Sequence, residues 1–198
     1  EEHPADEGRE RHRHERHADA GRYANGAKAQ FWIGNHHLQN GEFAEAEAAF
    51  QQVYTKWPTT ELRHQARMMA GYAATERQAY TDAREYFGKL IEDFLNSRTA
   101  NTNDGDTVPD DIAVDAFFAH ADSFTLGATE ATRDESFGNA IQTLNQLVNA
   151  FTQREQTFPQ QPNALVRMAE CHRQINRHDE AARLLREALA LPSSDPDL

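Results

Sequence analysis

Four times along this chain an alanine is followed, four residues later, by a large apolar side chain: Ala46 and Phe50, Ala83 and Phe87, Ala140 and Leu144, Ala181 and Leu185. The residue before each alanine is Glu45, Asp82, Asn139 or Glu180, and three places before it stand Phe43, Tyr80, Phe137 and His178. Steps of three and four put these positions on one face of a helix. A small residue there lets a second helix come close, and the large residue one turn on fills the space beside it. Recurrence at this scale marks stacked helical units, each of which buries its apolar face only against its neighbours. The alanine-to-alanine spacings are 37, 57 and 41 residues; the excess falls in a polar loop at 96–111 and in the expansion GATEATRDES at 127–136.

Helical periodicity runs in pairs around these positions. Segments 27–41 and 43–58 form the first pair, 61–79 and 80–97 the second. Segments 113–127 and 137–151 form the third, 164–177 and 179–191 the fourth. Pro109, followed by Asp110 and Asp111, is a helix start. Gly41 and Gly127 sit at matching positions after the first helices of their pairs, and Pro58 stops the second helix of the first pair. The expectation is an all-α chain of about four antiparallel helix pairs, spanning about 27–58, 60–97, 110–153 and 161–191. Residues 1–24 differ from the rest: four histidines, many charges and almost no apolar side chains. Such a segment buries too little to offset its ordering entropy. It reads as a tail, or as a helix that orders only against a neighbour, ahead of a repeat region at 25–198.

Residues 27–58 resemble a tetratricopeptide repeat, with Gly34 in the first helix, Gly41 and Phe43 at the turn, Ala46 and Phe50 in the second helix, and Pro58 at the end. The second copy keeps Gly71, Tyr80, Ala83 and Phe87. The resemblance implies an α-α superhelix, a solenoid that works by protein–protein interaction without catalysis. The cadence AREYFGKLIEDFLNS (83–97) is also similar to bacterial cell-envelope members of the family, which implies an envelope or extracellular setting.

In this family the first helices line a concave face. Matching registers places Phe31, Asn35 and Leu38 there from the first pair, and Met68, Tyr72 and Thr75 from the second. The third supplies Phe117, Ala121 and Phe124, the fourth Val166, Glu170 and Arg173. That projection describes an aromatic groove suited to an apolar helix or extended peptide. A clamp for an acidic C-terminus needs Lys, Arg and Asn, and in the first three pairs Asn35 alone fits. A rival reading starts from the last helix, DEAARLLREALAL, whose Leu184, Leu185 and Leu189 form an apolar face with only the short polar PSSDPDL behind it. A second copy docking its Phe31–Trp32 end on that face would give head-to-tail oligomers or filaments.

Other chemistries find little support. A net charge of −12 disfavours nucleic acid, and no run of about 18 apolar residues predicts a membrane-spanning helix. The tail holds His12, His14 and His17; Glu10, His14 and His17 would share one helical face, but nothing fixes a fourth ligand for zinc. NTNDGD (101–106) lacks the glutamate and the glycine position of a calcium loop. Cys171 and His172 are helical neighbours that point apart, so they read as packing residues rather than a nucleophile and its base. No phosphate-cradling loop, HExxH, GxSxG or CxxC is present. The sequence therefore predicts no enzyme, no cofactor and no metal.

Overall fold

A computed structural model describes residues 4–99, 107–152 and 159–191, with the description of 4–20 and 99 confined to the backbone. Eight helices and no strand occur among the described residues: α1 (Pro4–Gln39), α2 (Phe43–Lys56), α3 (Arg63–Glu76), α4 (Tyr80–Thr99), α5 (Asp110–Leu126), α6 (Arg133–Thr152), α7 (Gln161–Gln174) and α8 (His178–Ala190). The chain divides into two compact units, 1–73 and 74–198. The expected all-α, helix-pair architecture is the one observed.

In the first unit α1 packs against α2. A Cβ placed on Gly34 would lie 2.6 Å from the Phe50 ring, so the ring occupies the space the glycine leaves. Phe31 meets the same ring edge-on at 5.3 Å. Ala46, Phe50 and Val53 of α2 are fully buried. Pro58 disfavours helix at the residue before it, and α2 ends at Lys56, with Trp57 outside helical geometry. The Trp57 ring then lies against Gly26, and the Tyr23 hydroxyl accepts hydrogen bonds from the Thr59 N–H and Oγ1. As a single 36-residue helix, α1 passes through the composition change near residue 24 without a break. His12, His14 and His17 fall on its backbone-only part, and NTNDGD lies outside the described residues.

In the second unit each helix from α4 to α8 packs on the next. The centre is aromatic. Phe94 of α4 stacks on Phe151 of α6 at 5.9 Å and meets Phe117 of α5 edge-on at 6.2 Å. Arg98 lies over both Phe94 (4.3 Å) and Phe151 (4.7 Å). It donates to the Ala150 carbonyl and to Asp110 in the first turn of α5, so one side chain ties three helices. Leu184 of α8 is 2% exposed. It faces the core of its own chain and offers no surface for self-association; Leu185 and Leu189, on the opposite side of the helix, remain exposed.

Three of the four first helices end in one motif. After α1, the Glu42 N–H bonds to the His37 carbonyl and Gly41 to Leu38, with Gly41 at φ +75°. After α3 and α7 the same pair of bonds forms around Gln78 (φ 62°) and Asn176 (φ 59°). This is the Schellman cap, whose left-handed residue satisfies two orphan carbonyls. The sequence alignment pairs Gly41 with Gly127, but Gly127 has φ −83° and makes no such cap. The inserted residues explain the difference: the chain continues into a Thr129–Thr132 turn, each N–H bonded to the other's hydroxyl, and α6 starts there. Left-handed backbone costs a non-glycine residue roughly 1–2 kcal/mol. Gln78→Gly is therefore expected to stabilise the chain by up to about 1 kcal/mol and Gly41→Ala to destabilise it by a similar amount, measured by urea unfolding followed by circular dichroism.

Candidate partner-binding site

The site is built on the second unit, where α5 and α7 lie along α6. Phe118 and Asp122 stand one turn apart on α5. The Arg167 guanidinium of α7 lies 4.8 Å over the Phe118 ring and donates to both Asp122 carboxylate oxygens, at 2.6 and 2.7 Å. The pair is partly exposed, with side-chain exposures of 38% for Arg167 and 48% for Asp122, so it contributes no more than about 1 kcal/mol to stability. Its geometric effect is larger: it sets one edge of a cavity of about 280 Å³. From α6 come Phe137, Ala140 and Leu144, which make an apolar floor. From α5 come Ala121, Asp122 and Thr125, and from α7 Arg167, Glu170, Cys171 and Gln174. Three small side chains, Ala121, Ala140 and Cys171, meet here from three helices, and that is why the space stays open.

The charges around the cavity are held in place. Glu170 accepts from the Arg173 Nε and guanidinium NH2 at 2.8 and 2.6 Å and from Gln174 at 2.8 Å. Arg173 first, then Gln174, holds its carboxyl down to about 2. Burial pushes the Cys171 thiol up to about 11, and Asp122 and Glu170 add to the shift. A thiol so placed stays protonated and is no nucleophile, in keeping with the packing role expected of it.

Of the residues projected onto the groove from sequence, α7 presents Val166, Glu170 and Arg173 on its exposed side. On α5 the projected Ala121 lines the cavity, whereas the two projected aromatics do not. Phe117 is fully buried in the Phe94–Phe151 cluster and Ala121 is also buried. Phe124 packs edge-on to His120 at 5.1 Å, with the Arg84 guanidinium 4.9 Å over its ring. The face of α5 turned toward α7 is 118, 122 and 125 instead. The physical reason is that α5 is apolar over much of its circumference, so packing rather than pattern chooses which aromatic goes inward. In the first unit Phe31, Asn35 and Leu38 are half-buried, Met68 is buried and Tyr72 is 38% exposed. Trp32, 72% exposed, is more accessible than any of these. Asp122, Thr125, Arg167 and Gln174 were not singled out from sequence, and Phe137 was singled out only as a packing position of the repeat. The one available signal was the Phe117–Phe118 doublet, which leaves open which ring faces a neighbouring helix.

Residues 16–60 and 33–94 match one tetratricopeptide-repeat model and residues 164–198 match a second, together more than half of the chain. The chain belongs to the tetratricopeptide-repeat family. No curated protein matches it. Tetratricopeptide repeats generally mediate protein–protein interaction and are typically non-enzymatic. No helix among the described residues of this tetratricopeptide-repeat protein is long and apolar enough to cross a membrane.

One packing residue beside the site has a pH signature. Thr143 donates to the Asn139 carbonyl, so it accepts from the His120 Nδ1, 3.1 Å away. The neutral ring thus carries its proton on Nδ1, and Nε2 faces Gly88. Burial, then Arg84, pushes His120 down to about 4; burial also lowers His172. The unfolded chain takes up these protons below about pH 6.5 while the folded chain resists. Stability is therefore fully present above pH 6.5 and falls between 6.5 and 4. His120→Gln is expected to flatten the melting-temperature profile in that window, leaving the residual slope to His172 and other groups. An unchanged slope would mean that His120 is protonated in the folded chain.

Proposed function

We propose that this chain holds a segment of a partner protein across the α5–α7 face, with the cavity beside Asp122 and Arg167 receiving one side chain of that segment as its anchor. The observation that carries this reading is the combination of an apolar floor with a hydrogen-bonding rim in one open cavity. Buried anchors of this kind supply most of the energy of peptide recognition, and the surrounding polar groups fix orientation. Exposed Val166 and Arg173 extend the contact along α7. Of the aromatic groove drawn from sequence, Phe117 is taken up in packing, and the reading centres on this narrower site.

A second reading, self-association, rests on α8. Leu185 is 43% exposed and Leu189 86% exposed, whereas Phe50, Phe87 and Leu144, at the register of Leu185, are at most 1% exposed. A second copy would cover that face with a helix. An envelope or extracellular setting, proposed from the cadence of residues 83–97 alone, would be tested by fractionation of expressing cells.

Peptides selected from a displayed random library against the whole chain are expected to lose at least ten-fold in affinity with Thr125→Trp, which blocks the cavity mouth, while helicity stays the same. Equal affinity in the folded variant would remove the partner-site reading. For self-association, light scattering across concentration is expected to show oligomers that Leu189→Glu dissolves; a chain monomeric at every concentration would end that reading.

A further inference from the structure

The chemistry of the cavity narrows what its anchor is. The floor formed by Phe137, Ala140 and Leu144 offers no hydrogen bond from its side chains. The mouth carries two carboxylates, Asp122 and Glu170, on different helices. The cation that lines it, Arg167, is engaged on one side, stacked on Phe118 and bonded to Asp122. Arg173, which pairs with Glu170, does not line the cavity. Asp122 accepts from one guanidinium nitrogen of Arg167 and Glu170 from three donors. A carboxylate has about four acceptor sites, so both retain capacity for a further donor. Exposed ion pairs of this kind are weak enough to be shared with an incoming cation.

An apolar trough that ends in carboxylates fits a side chain that is apolar along its stem and cationic at its tip. We propose that the cavity takes a lysine or arginine side chain of the partner segment, with its methylenes over Leu144 and Phe137 and its head group at Asp122 and Glu170. Two further observations agree. Cys171, inside the cavity, is shifted upward by Asp122 and Glu170 more than Arg167 opposes it, so the local field is negative. The whole chain carries a net charge of −12, which draws in basic segments and slows acidic ones. This inference rests on the partner-site reading above.

The test uses the full chain and library-selected peptides, each compared with a copy in which its anchor lysine or arginine is replaced by norleucine, a neutral side chain of similar length. Fluorescence anisotropy is expected to show at least ten-fold weaker binding of the norleucine copy. Glu170→Gln and Asp122→Asn are each expected to weaken the basic peptide about five-fold. Circular dichroism would confirm that each variant is folded. Peptides that Thr125→Trp blocks, but whose anchor is apolar or acidic and indifferent to Glu170→Gln, would overturn the basic-anchor proposal and leave the partner site standing. A library that yields no peptide sensitive to Thr125→Trp would overturn both.

Discussion

The contact on which the rest of the structure depends is a large side chain set into the space left by a small one on the facing helix. Phe50 against Gly34 is its tightest instance: the ring stands where a side chain on residue 34 would be. Such contacts bring helix axes close enough for apolar side chains to pack at interior density. They also explain why one pattern of small and large residues recurs through four pairs otherwise different in sequence. Ala46, Ala83, Ala140 and Ala181 are all buried, so each second helix presents its small residue inward.

The same economy of size leaves the cavity. Where Ala121, Ala140 and Cys171 converge, space remains above the Phe137 and Leu144 side chains, and the aromatic doublet of α5 is committed elsewhere. Phe117 goes to the aromatic cluster with Phe94 and Phe151, and Phe118 goes beneath Arg167. The Asp122–Arg167 pair adds little stability at its exposure, yet it fixes the edge of the space and the direction of its charge. Packing of α5 and chemistry of the site are therefore one problem. Whichever aromatic turns inward decides which polar residue stands at the rim.

The turns show how far a fold tolerates variation in one part. Gly41, Gln78 and Asn176 occupy one register and one left-handed conformation, although glycine is favoured there and glutamine is not. The hydrogen bonds to two otherwise orphan carbonyls, together with the packing of the helices on either side, hold glutamine in place. Where the insertion at 127–136 lengthens the connection, the constraint disappears. There Gly127 adopts ordinary backbone and paired threonines start the next helix.

The sequence by itself determined the number of helices, their order and most of their limits, because helical periodicity and caps act over three or four residues and are written locally. It determined the faces of α2 and α7, where polar residues leave a single apolar stripe and so a single way to pack. It did not determine the rotation of α5. That helix carries apolar residues over much of its surface, and the choice between Phe117 and Phe118 depends on Phe94 and Phe151 from two other helices. Nor did it determine the cavity, because Asp122 and Arg167 are 45 positions apart and each alone reads as an ordinary surface charge. Their partnership exists only once α5 and α7 lie side by side on α6, and tertiary packing decides that.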